Sequence, residues 1–157
     1  METLTTEKIK RNFMLINSAY FYEIIYDENR RFFDLYLTFG TKGISENHTK
    51  TYNDLIENLN GYLTKISEYI KSTYSNSEKK KTDELNKIKL SLSVVEISDY
   101  NQEFDTVIIC EKEYKYFGIF KKNIGIRTEI KNGRIISMER KSDTLKENKK
   151  NVLQHRI

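Results

Sequence analysis

The sequence predicts an α+β fold: a curved antiparallel sheet, made of an N-terminal hairpin and a C-terminal meander, packed by one long amphipathic helix. Three observations carry this expectation. Asn132-Gly133 lies between two short apolar-polar runs, and Asn-Gly suits the two positive-φ positions of a type I′ hairpin turn. From Thr49 to Tyr74, Tyr52, Leu55, Ile56, Leu59, Tyr62, Leu63, Ile66, Tyr69 and Ile70 recur at spacings of three and four, which is one stripe of a helix. Phe33, Leu35, Leu37 and Phe39 alternate with polar neighbours such as Asp34 and Thr38, the period of a strand with one buried face.

Each element follows from its local pattern. Ile9, Phe13 and Ile16 are spaced for a short helix over Thr5–Asn17, with Phe13–Ile16 also readable as a short apolar run. Tyr20–Tyr26 and Arg31–Phe39 form the N-terminal hairpin, turning through Asp27–Arg30. Gly40–His48 is a loop. The long helix begins at Thr49, with Thr51 and Asp54 as an N-terminal capping pair. Gly61 interrupts it, either for close approach to the sheet or as a tolerated surface glycine. Ser75–Asn86 is a polar connector containing Lys79-Lys80-Lys81.

The meander begins with Lys87–Ile97. Ile88, Leu90, Leu92 and Val94 alternate, then the phase moves to Val95 and Ile97, which predicts a β-bulge near Val94-Val95. Phe104–Glu113 is apolar on both faces at Val107-Ile108-Ile109-Cys110 and is therefore expected to be central. Tyr114–Phe120 and the Asn-Gly hairpin complete the sheet. Residues 1–140 read as a single α+β domain and 141–157 as a charged tail, partly disordered or helical.

Composition bounds the function. In 157 residues there are eleven Tyr, eight Phe, no Trp and no Pro. Six Lys/Arg against three acids between Glu139 and Ile157 leave the tail at +3 and the preceding body at +1, of a total of +4. A near-neutral body is a poor match to a folded nucleic-acid reader, whose bases gather on one face. No apolar run reaches the length of a membrane span, and no secretory signal is visible at the N-terminus. A lone Cys110 makes no internal disulfide and suits a reducing, cytoplasmic setting.

No chemistry-bearing constellation emerges. His48, His155 and Cys110 are too few and too scattered in sequence for a zinc site. Cys110 reads as a small core residue and His48 as a polar residue in the loop before the helix. Carboxylate pairs such as Asp54/Glu57 and Glu111/Glu113 are common in a chain with 23 acids, and none is isolated for acid–base work. Gly40-x-x-Gly43 lacks the Lys-Ser/Thr of a phosphate loop. The expectation is therefore a non-enzymatic module with no cofactor or metal, whose partner is another protein. Its candidate contact residues are Tyr20, Tyr22 and Tyr26 on one side of the first hairpin, with Tyr114 and Tyr116 in the meander. Core packing is the competing role for these rings.

Two alternatives follow from other features. A small-ligand or enzymatic pocket would form where the long helix crosses a curved sheet, as in cone-shaped α+β folds. A nucleic-acid surface would use Lys112, Lys115, Lys121 and Lys122 with the aromatic residues among them.

From Lys87 to Lys141, and especially in Phe117-Gly118-Ile119-Phe120-Lys121-Lys122-Asn123-Ile124-Gly125-Ile126 and Ile130-Lys131-Asn132-Gly133-Arg134-Ile135, the chain resembles the final strands of small bacterial immunity-type domains. Such domains neutralise partner toxins and consist of a helix laid on an antiparallel sheet. The resemblance covers about a third of the chain and implies an inhibitor of a toxin or defence protein from a bacterium or its mobile elements. Many such inhibitors are acidic; the slight positive charge here implies an acidic or differently charged partner.

Overall fold

The computed structural model describes residues 3–26, 31–75, 91–116 and 120–141. Seven strands form one open sheet in the order of the chain, β1 (Met14–Ile16), β2 (Ala19–Ile25), β3 (Phe32–Thr38), β4 (Ser91–Ser98), β5 (Thr106–Tyr116), β6 (Phe120–Lys131) and β7 (Arg134–Lys141). Among the described residues two helices accompany the sheet, α1 (Thr6–Asn12) and α2 (Glu46–Ser75). The α+β architecture with one long helix is as expected. All neighbouring pairs are antiparallel except β3–β4, which is parallel. A parallel pair needs a crossover, and α2 lies in the connection between its two strands.

The first helix is shorter than its spacing suggests. Thr5 caps it, its Oγ1 accepting from the Lys8 amide at 3.3 Å. Phe13 then turns extended (φ −92°, ψ 142°), and the apolar run after it becomes β1. Asn17, at φ 53°, begins the two-residue turn into β2. The competing strand pattern prevails here because β2 offers Met14–Ile16 a ladder partner.

The long helix starts before the expected Thr49. Its buried stripe is Tyr52, Leu55, Leu59, Tyr62, Ile66 and Ile70, as the spacing requires. These side chains meet Phe33, Leu35 and Leu37 of β3, Leu92, Val95 and Ile97 of β4, Ile108 and Cys110 of β5, and Ile126 and Ile130 of β6 in one core. A smaller cluster, Tyr36, Val94, Phe104, Val107 and Ile109, occupies the opposite face. Strand β5 is thus apolar on both faces, as its sequence implied. The expected bulge occurs between Leu92 and Val94, one residue earlier than the phase shift suggested.

Gly61 is exposed, and a Cβ built on it meets nothing within 4 Å. It is the surface glycine, not a point of close approach. Gly61→Ala is expected to stabilise the chain by about 0.5–1 kcal/mol through helix propensity, read as a higher midpoint in thermal unfolding; a lower midpoint would contradict this placement. Thr128 is 0% exposed and its Oγ1 has no hydrogen-bond partner. Thr128→Val keeps the shape and removes a desolvated hydroxyl, so a gain of about 1 kcal/mol in chemical denaturation is expected. A loss would mean that the hydroxyl is satisfied in solution.

The C-terminal hairpin behaves as its Asn-Gly predicts, with Asn132 at φ 49° and Gly133 at φ 73°. Tyr114–Tyr116 continues β5 rather than opening a new strand, and β6 starts at Phe120. The turn 27–30, the connector with Lys79–Lys81, the beginning of the expected Lys87–Ile97 strand and the tail after Lys141 lie outside the described residues.

Candidate functional site

A fully buried polar side chain lies where α2 begins. Ser45 precedes the helix and His48 is in its first turn, so His48 is not the loop residue the sequence suggested. Its ring is wholly buried, with Nε2 2.7 Å from the Thr38 carbonyl oxygen. A carbonyl only accepts, so the proton resides on Nε2. Nδ1 is then an acceptor, and the Ser45 amide donates to it at 3.2 Å. The Ser45 hydroxyl donates to Asp99 Oδ2 at 2.8 Å.

Serine, histidine and aspartate therefore meet, but not in the order that nucleophilic catalysis needs. A hydrolytic histidine takes the serine proton with one nitrogen and is oriented by the carboxylate on the other. Here Nε2 is committed to a backbone carbonyl, and the serine hydroxyl, although its oxygen lies 3.1 Å from Nδ1, directs its proton to the carboxylate, so the carboxylate faces the serine rather than orienting the far side of the imidazole. The arrangement is one half of a capping box: His48 occupies the place usual for Glu or Gln and accepts from the Ser45 amide, while the His48 amide donates to the Ser45 carbonyl and the Ser45 hydroxyl turns to Asp99. It ties α2 to β3 and to the segment after β4.

A groove of about 770 Å³ runs from this cap along α2 to the β6–β7 hairpin, lined by residues including Lys50, Asp54, Tyr62, Asp105, Lys131 and Asn132. Several of its polar groups satisfy one another. Tyr62 Oη donates to the Gly133 carbonyl at 3.0 Å, Asp105 Oδ2 accepts from the Asn132 amide at 2.8 Å, and Lys131 Nζ donates to the Asn101 carbonyl at 3.3 Å. The Tyr62 hydroxyl is pushed above its usual pKa by burial and then by the charges of Asp105 and Asp54. Among the described residues no group of three or more His, Cys, Asp or Glu is placed to hold a metal ion. The groove is a polar seam, not a deep apolar cavity, and the space where helix crosses sheet is filled by the α2 stripe.

Cys110 is buried, and burial together with the neighbouring Glu111 charge pushes its thiol up to about 12. It is an inert core residue at neutral pH.

Of the candidate tyrosines, Tyr20 packs against the main core beside Phe39, ring centroids 5.6 Å apart. Tyr26 packs on Phe33 at 5.9 Å, with Arg31 over its ring at 5.4 Å. Tyr22 stacks on Phe13 at 4.8 Å and remains 42% exposed. The face holding these three is thus the inward one at two positions. Tyr114 and Tyr116 are in β5, opposite Lys122 and Phe120, with Lys115 opposite Lys121 and Lys112 opposite Ile124. The register does not bring Tyr114 or Tyr116 beside Tyr20, Tyr22 and Tyr26 of β2, because β3 and β4 intervene.

The outer strands carry a feature the alternation did not reveal. Among the described residues seven large hydrophobic side chains are exposed, and five of them, Met14, Leu15, Tyr22, Ile25 and Phe32, fall within β1, β2 and the first residue of β3. The signal was present as apolar doublets, Ile24-Ile25 and Phe32-Phe33, which put an apolar residue on both faces of an outer strand. Comparison with protein-family models, with curated proteins and with solved structures finds no match to the chain. No described helix is long and apolar enough to cross a membrane.

Proposed function

We propose that the protein is a non-enzymatic protein-binding module that holds its partner on the outer strands β1–β3, with inhibition of a bacterial or mobile-element toxin or defence protein as its specific form. The observation that carries the reading is the gathering of five exposed large apolar side chains in that one part of the sheet. The commitment of Ser45, His48 and Asp99 to capping supports it, since it leaves that cluster without a free base. The resemblance of the last strands to immunity-type domains supports the inhibitor form.

The test replaces Ile25 and Phe32 by serine. Both side chains are more than half exposed, so folding is expected to survive. Affinity purification from the native host with the unaltered chain, followed by titration of the recovered partner, is expected to show at least a tenfold weaker complex for the double variant, as for loss of one or more anchors worth above about 1 kcal/mol. An unaltered affinity would remove the outer strands from the interface. Recovery of no partner, together with turnover of a small molecule, would overturn protein binding itself.

A further inference from the structure

The edge of β2 is only partly covered. Its full length, Ala19–Ile25, pairs with β3, whereas β1 pairs only with Ala19–Phe21. The direction of the remaining backbone groups follows from the ladder. The Tyr26 amide donates to the Arg31 carbonyl and the Ser18 carbonyl accepts from Phe39, so the even-numbered positions of β2 bond toward β3. Alternation along an antiparallel strand then directs the amide and carbonyl of Glu23 and Ile25 outward, past the end of β1. Both residues are exposed, and among the described residues no strand flanks them on that side.

From this we infer that β2 receives an extended segment of an acidic partner protein as an added strand, hydrogen-bonded to Glu23 and Ile25. The inference rests on the protein-binding reading and gives it a mode and a partner chemistry. Strand addition draws affinity from main-chain hydrogen bonds and specificity from alternating side chains. Apolar contacts are available on both faces of the open stretch. Ile25 and Phe32 are cross-strand neighbours on one face, and Tyr22 is on the other.

Charge selects the partner. Lys10 and Arg11 are exposed in the last turn of α1, the helix that leads into β1, against Glu7 in its first turn, and Arg31, over the Tyr26 ring, is exposed beside the far end of β2. Glu23 is the single exposed acid within β2. Pairing of two copies across this edge would bring both sets of cations together, which disfavours self-association and favours an acidic segment.

The test uses two synthetic eight-residue peptides, one alternating Ile/Val with Asp/Glu and one alternating Ile/Val with Lys/Arg, titrated against the full chain at low salt. The acidic peptide is expected to bind at least tenfold more tightly, to weaken with added salt, and to slow amide exchange at Glu23 and Ile25. Glu23→Pro removes an outward amide while sparing the bonds to β3, and is expected to abolish binding. Ile25→Pro provides a second variant, with circular dichroism confirming the fold of each. Equal binding of both peptides, acidic-peptide binding that survives both prolines, or protection of these amides by concentration-dependent self-association would each overturn strand addition. The two readings separate cleanly. A natural partner lost with the Ile25/Phe32 serine pair but retained by Glu23→Pro keeps protein binding and rejects the added strand.

Discussion

Replacing His48 by alanine is expected to cost about 3 kcal/mol of stability, although the residue belongs to no reacting site. The ring is fully buried and bonds in two directions, to the Thr38 carbonyl at 2.7 Å and to the Ser45 amide at 3.2 Å. Each buried polar group left without its partner costs about 1–3 kcal/mol, and the space vacated by the ring adds a cavity contribution. His48→Gln should recover part of the loss, because glutamine in the first turn can still reach the amide before the helix. Urea denaturation would register the alanine change as a lower midpoint with an unchanged slope. If alanine proved neutral, the cap would not be what joins α2 to β3 and the β4 end.

Stability is also expected to fall steeply in alkali, with Cys110 as the principal cause. Burial and then the Glu111 charge raise its thiol from 9.0 to about 12 in the folded chain. Between those values the folded state holds a proton that the unfolded state has released. The contribution is therefore complete below pH 9 and declines as pH rises toward 12, reaching a loss of about 4 kcal/mol across the interval. Tyr62, also raised, acts in the same direction. Denaturation of the parent chain and of Cys110→Ala at a series of pH values tests this. The alanine chain should be weaker at pH 7 but show a shallower alkaline decline. Parallel declines in the two chains would assign the effect to other groups.

The contrast between these residues shows where local sequence carries enough information. The α2 stripe from Tyr52 to Ile70 was legible because helical geometry alone places residues three and four apart on one face. The Asn132-Gly133 turn was legible because few residue pairs adopt two successive positive φ values without strain. The central position of β5 followed from apolar residues on both faces, and the bulge in β4 from a change of phase. The role of Cys110 followed from the same run of apolar neighbours.

The burial of His48 is not legible because two of its anchors, the Thr38 carbonyl and Asp99, are a backbone group and a residue distant in sequence, and because a histidine three residues after Ser45 is not the Glu or Gln that marks a capping box. The three hairpin tyrosines were ambiguous for a related reason. Alternation separates two faces of a strand without saying which is covered, and only the placement of the helices and of Phe13, Phe33 and Phe39 decides it.

The class, the long helix, the C-terminal hairpin and the inertness of the cysteine can be read from residue order, because each rests on periodicity or on the conformational preference of one or two residues. Tertiary structure alone decided that α2 makes β3 and β4 parallel neighbours, that Ser45, His48 and Asp99 join as a cap, and that Glu23 and Ile25 face outward at an open edge. Those outcomes depend on which strands become neighbours and where a short strand such as β1 stops, and contacts between distant segments set both.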